Sequence, residues 1–126
     1  MHMAVAAVLA AFLSAAQGAA SRPSEVKMDH VGKSFLFDYG DMVIRVSYVS
    51  DTKLRWEQVK GPAAGLTGEE TYGSSLVRPQ VVFIWWQEKD TSVVTEVVDF
   101  ERQRVHTTWT SPEKKLAAFQ GAVRSP

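Results

Sequence analysis

The residues best suited to chemistry in this sequence are an indole and a carboxylate two positions apart, Trp86 and Glu88. They close the apolar run Val81-Val-Phe-Ile-Trp-Trp86. If that run is a strand, side chains alternate between its faces, so Trp86 and Glu88 share one face and Trp85 takes the other. A carboxyl held beside an indole and away from water has a raised pKa and can act as acid or base. The competing reading is a solvated strand end next to Lys89 and Asp90. Tyr72 and Arg78 precede the run and offer a hydroxyl and an anion clamp, or else a surface ion pair. Trp56 and Trp109 lie in two other runs. With Trp86 they either line a cavity for an apolar or aromatic ligand or simply fill a core. The ligand-binding candidates are therefore Trp56, Tyr72, Arg78, Trp86, Glu88 and Trp109, and Glu88 is the one catalytic candidate.

Other chemistries find little support. The chain has no cysteine, which removes thiolate nucleophiles, disulfides and Cys-based zinc or iron–sulfur sites. His2, His30 and His106 are far apart in sequence, with no ligand spacing between them, so neither a metal nor a cofactor is expected. His106 alternates with Arg104 and Thr108, which reads as an outward face first and a ligand contact second. No nucleophile elbow, phosphate loop or dinucleotide fingerprint occurs. Fourteen basic residues balance fourteen acidic ones, so no net field favours nucleic acid, which is not an expected partner.

The elements that must position these residues are short strands. From Gly32 onward, runs rich in Val, Ile, Thr, Phe, Tyr and Trp alternate with turn residues. Ser34–Phe37 ends at Asp38-Tyr39-Gly40-Asp41. Met42–Val49 puts Met42, Ile44, Val46 and Tyr48 on one face. Lys53–Val59 sets Leu54 and Trp56 against Lys53, Arg55 and Glu57. Lys60–Gly68 reads as a loop, and Glu70–Val77 as a weak strand that Gly73 bends or bulges. Val81–Trp86 needs cover on both faces, or lines a pocket with one. Ser92–Phe100 and Gln103–Thr110 form a hairpin through Glu101-Arg102. Residues 113–120 fit either a short amphipathic helix or a final strand. Seven or eight evenly spaced strands without crossover helices predict a small antiparallel all-β barrel or sandwich, with the up-and-down barrel preferred.

Residues 4–13 are an uncharged apolar run followed by small residues up to Ala20. This order fits a signal peptide over residues 1–20, although the leading segment lacks Lys and Arg. The run is too short for a confident membrane span. The expected organisation is a signal peptide at 1–20, a linker at 21–31 and one barrel domain at 32–126, in a secreted or periplasmic protein. No stable membrane span is expected after cleavage, and the sequence does not set an oligomeric state.

Two patches carry a family resemblance. Gly32-Lys-Ser-Phe35 is similar to the Gly-x-x-aromatic opening of calycin barrels such as lipocalins. Val81-Val-Phe-Ile-Trp-Trp86-Gln-Glu88, followed by a strand ending in Asp99, resembles the MoaF-like family, which shares a lipocalin-like barrel with the phenolic acid decarboxylases. The resemblance implies that barrel for residues 32–109. It also implies where decarboxylase chemistry would lie: two tyrosines on the first strand, an arginine, and the glutamate of a Trp-x-Glu motif. Trp86-x-Glu88 fits the last of these. Phe35 and Phe37 stand where the tyrosines would be and have no hydroxyl to offer a substrate carboxylate. Arg55 and Arg78 are the nearest arginines. Decarboxylation by that route is not expected.

The reading that follows is an exported barrel binding one small apolar or aromatic ligand. Its rivals are a lyase or isomerase on the same barrel using Glu88 with Arg78 or Tyr72, and a protein-interaction module whose barrel is solid.

Overall fold

A computed structural model describes residues 29–126, so the expected signal peptide and most of the expected linker lie outside the described residues. Among these residues every regular element is a strand. They run β1 (Ser34–Asp38), β2 (Val43–Tyr48), β3 (Lys53–Lys60), β4 (Thr67–Thr71), β5 (Gly73–Arg78), β6 (Val81–Gln87), β7 (Val93–Asp99), β8 (Arg104–Thr110) and β9 (Leu116–Arg124). No described helix is long and apolar enough to cross a membrane.

The strands form a single antiparallel sheet in the order β4-β3-β2-β1-β9-β8-β7-β6-β5. Because β9 returns to pair with β1, at Phe37↔Val123, the sheet curls into a nearly closed barrel. The remaining seam is bridged by the chain itself. β4 pairs with β3 and β5 pairs with β6, and only Tyr72 separates them, so one bent segment passes from one edge to the other. The bend expected near Gly73 is this corner. The segment at 113–120, open between helix and strand in the sequence, is the start of β9. Its long pairing with β8, from Arg104↔Ala122 to Thr110↔Leu116, satisfies the β8 edge, which a helix at this place would leave unpaired.

Period-two patterning sets the inner face. Phe37, Val46, Leu54, Ile84, Val98 and Val105 are all at most 2% exposed and point inward. β6 is apolar on both faces for two different reasons. Val82, Ile84 and Trp86 face the interior, while Phe83 and Trp85 stack outside with ring centres 5.2 Å apart.

One end of the barrel is plugged. His30, in the turn before β1, is 1% exposed and stacks on Phe100, with its ring edge-on to Tyr48. The Tyr72 hydroxyl donates to the Ser50 carbonyl at 2.7 Å, so it accepts from His30 Nε2 at 3.2 Å. His30 Nε2 thus carries a proton, and burial lowers the pKa of the ring against the pull of Asp29.

Candidate functional site

The other end of the barrel is open. From it a cavity of about 410 Å³ runs into the interior, within the range of small-molecule sites. Val46 on β2 and Val94 and Glu96 on β7 lie deep in it and are buried, whereas Leu66 and Trp109 are more than a third exposed at its mouth. The wall is mainly apolar, with Trp56 from β3, Trp86 from β6, Trp109 from β8 and Phe119 from β9.

Two of the indoles are fixed by carboxylates. Trp56 Nε1 donates to Glu70 Oε2 at 2.9 Å, and Trp86 Nε1 donates to Glu88 Oε2 at 3.1 Å. Each pair follows from the pleat. Trp86 and Glu88 are two apart at one strand end, and Glu70 on β4 stands two residues from Gly68, the partner of Trp56, and so on the same face. Gly68 makes room for the indole, since a Cβ there would lie 2.5 Å from the Trp56 ring. Burial raises the Glu88 pKa; the Trp86 N–H offsets this in part, and the charges of Glu70 and Asp90 add to it.

Deeper in the barrel lies a second polar group. Thr107 Oγ1 donates to Glu96 Oε2 at 3.4 Å, and the Tyr39 hydroxyl meets Thr107 Oγ1 at 2.7 Å, so the chain of donors runs Tyr39 to Thr107 to Glu96. Glu96 is 4% exposed, and its Oε1 has no hydrogen-bond partner among the described residues. Burial pushes its pKa up to about 8 against the lowering effect of the Thr107 and Tyr39 hydroxyls. Burial and the nearby Glu96 raise the Tyr39 pKa as well.

Of the six candidates read from the sequence, Trp56, Trp86, Glu88 and Trp109 line this one cavity. Tyr72 and Arg78 lie elsewhere. Tyr72 turns into the plugged end at the corner between β4 and β5, where its hydroxyl is held by Ser50 and His30 and its pKa is pushed up to about 12 by burial and Asp51. Arg78 ends β5 on the outside. It pairs with Glu101 at 3.1 Å and Asp99 at 3.7 Å with 41% of its side chain exposed, which is the surface ion pair of the competing reading. Phe35 faces the plug, where it packs on Phe100 at 4.8 Å, and Phe37 is buried in the core without lining the cavity.

Sequence reasoning missed Tyr39, Glu96 and Thr107. Glu96 did leave a signal. It alternates with Val94 and Val98, so a carboxylate interrupts an apolar face. Among the described residues, no group of three or more His, Asp or Glu side chains is placed to hold a metal ion.

The MoaF-like family model matches residues 31–124. The chain is also similar to a crystal structure from Burkholderia vietnamiensis of a protein provisionally named a beta-lactamase. That likeness has 27% identity and a TM-score of 0.76, and it covers 80% of this chain and 99% of the other. No curated protein matches the chain.

Proposed function

The chain belongs to the MoaF-like family, and from that premise we propose that it binds one small apolar or aromatic ligand inside its barrel. The observation that carries this reading is the cavity of about 410 Å³ walled by Trp56, Trp86, Trp109 and Phe119. A solid interaction module would have those side chains closing on one another, as they can in a barrel of this size. The apolar run at residues 4–13 adds an exported setting to the proposal.

A lyase or isomerase is less well supported. Glu88 is in the cavity, but its expected helpers are not: Arg78 is outside and Tyr72 is in the plug. The provisional name of the Burkholderia neighbour does not extend easily to this chain either. Serine beta-lactamases pair a Ser-x-x-Lys serine with a base. That spacing occurs at Ser24–Lys27, outside the described residues, and among the described residues at Ser50–Lys53 and Ser111–Lys114, where both hydroxyls cap turns. Ser50 Oγ accepts from the Thr52 and Lys53 amides at 3.2 and 3.0 Å, and Ser111 Oγ accepts from the Lys115 amide at 3.1 Å. Neither serine lines the cavity.

The test uses N-phenyl-1-naphthylamine, a neutral aromatic probe that brightens when it leaves water. Saturable brightening at one probe per chain is expected. Val94→Phe, which fills the cavity from β7, should weaken binding by about tenfold or more while the circular dichroism stays unchanged. Unsaturable brightening, or equal binding by the folded Val94→Phe variant, would reject an interior site.

A further inference from the structure

The charge in the cavity is one-sided although the whole chain is neutral. Glu88, Asp90 and Glu96 line it, and among the described residues no Lys or Arg does. An anionic ligand would meet three carboxyl groups and few free donors, because the N–H groups of Trp56 and Trp86 already point at Glu70 and Glu88. The wall therefore offers the electron-rich faces of indoles, which attract cations. At the deep end Glu96, one of the lining residues, is buried with its Oε1 unpartnered among the described residues, while the donors of Tyr39 and Thr107 all run toward its other oxygen. When Glu96 is ionised, a donor is what that oxygen lacks.

We propose that the cavity selects a small organic monocation, with its ammonium group at Glu96 Oε1 and its aromatic or apolar body among Trp56, Trp86 and Trp109. The inference rests on the ligand-binding reading above and narrows its ligand class. An ammonium in place of the acidic proton keeps Glu96 ionised in an interior that otherwise favours the neutral acid. Binding then releases one proton from Glu96 to solvent. The groups that face Glu96 are Tyr39 from the β1–β2 turn, Tyr48 from β2, Thr107 from β8, and Glu88 and Asp90 toward the mouth. None of them supplies a competing positive charge.

The test is calorimetric titration of the full chain with three ligands of similar size: 2-phenylethylammonium, 2-phenylethanol and 3-phenylpropionate. The ammonium should bind at least about tenfold tighter than the alcohol, and the carboxylate more weakly than either. Glu96→Gln should collapse the preference for ammonium over alcohol toward one. Benzyltrimethylammonium, whose charge does not titrate, should bind wild type at least about tenfold tighter at pH 8.5 than at pH 6, with proton release seen as a dependence on buffer ionisation heat. If the alcohol or the carboxylate binds as tightly as the ammonium, the inference fails and the cavity reading stands. It also fails alone if N-phenyl-1-naphthylamine binds and none of the three ligands does. If no compound binds, both fail.

Discussion

Tyr39 and Thr107 are 68 residues apart and meet at 2.7 Å inside the barrel, where Thr107 passes its own proton toward Glu96. Tyr39 follows β1 and Thr107 sits mid-way along β8, with β9 between the two strands. The contact therefore exists only once β9 has returned to β1 and closed the wall, and it ties barrel closure to the state of a buried carboxyl.

That coupling gives stability a pH dependence of defined sign. Glu96 ionises near 8 when folded and near its ordinary 4.5 when unfolded. Between those values the folded chain holds a proton that the unfolded chain has lost. Its contribution is thus full below about 4.5 and is lost as pH rises toward 8, by at most about 1.4 kcal/mol per pH unit. Thermal unfolding of wild type should give a Tm that declines from about pH 6.5 to 8, above the range where His30 opposes it. Glu96→Gln, which has no proton to lose, should remove most of that slope. Parallel wild-type and variant curves would show that Glu96 is not a buried acid.

His30 acts with the opposite sign. Its folded pKa lies below the ordinary 6.5 because burial outweighs Asp29. As pH falls below 6.5 the unfolded chain gains a proton that the folded chain resists, so stability drops on the acid side. Asp38, Asp90 and Asp99, held low chiefly by hydrogen bonds from backbone or serine groups, lose their contributions only below the ordinary 3.8. His30→Phe keeps a ring stacked on Phe100 and removes the effect that opposes Glu96, so below about pH 6.5 Tm should fall more steeply with rising pH than in wild type, as differential scanning calorimetry would show. An unchanged acid limb would mean that the plug carries a protonated His30.

Gly68 tests the wall of the cavity. A Cβ there would press on the Trp56 ring, so Gly68→Ala must displace the indole and break its bond to Glu70. A stability loss of about 1–3 kcal/mol is expected in urea unfolding, the usual cost of overpacking. The same displacement should shift the tryptophan emission spectrum and weaken N-phenyl-1-naphthylamine binding. Normal stability and an unchanged spectrum would place Trp56 elsewhere.

The alternation of polar and apolar residues was enough to find most of the nine strands, because side-chain direction in an extended chain is set by the backbone two residues at a time, but β4 and β5 read as the single run Glu70–Val77 and β9 stayed open between helix and strand. Thus Trp86 and Glu88 could be put on one face, Trp85 on the other, and His106 outward, all from spacing alone. The family resemblance rested on Val81–Glu88 and Gly32–Phe35, both of which are likewise local. Local pattern also hid things. Val93 to Val98 is apolar on both faces, which left the direction of Glu96 ambiguous, and Tyr39 read only as part of a turn. What tertiary structure alone decided was convergence. Closing β1 on β9 and turning the chain at Tyr72 brought Trp56, Trp86, Glu88 and Trp109 around one cavity, sent Arg78 outside and Tyr72 into the plug, and brought Tyr39 to the Glu96–Thr107 pair of the β7–β8 hairpin. Spacing along a strand can say which way a side chain points, but which others it meets depends on the curvature and register of the whole sheet.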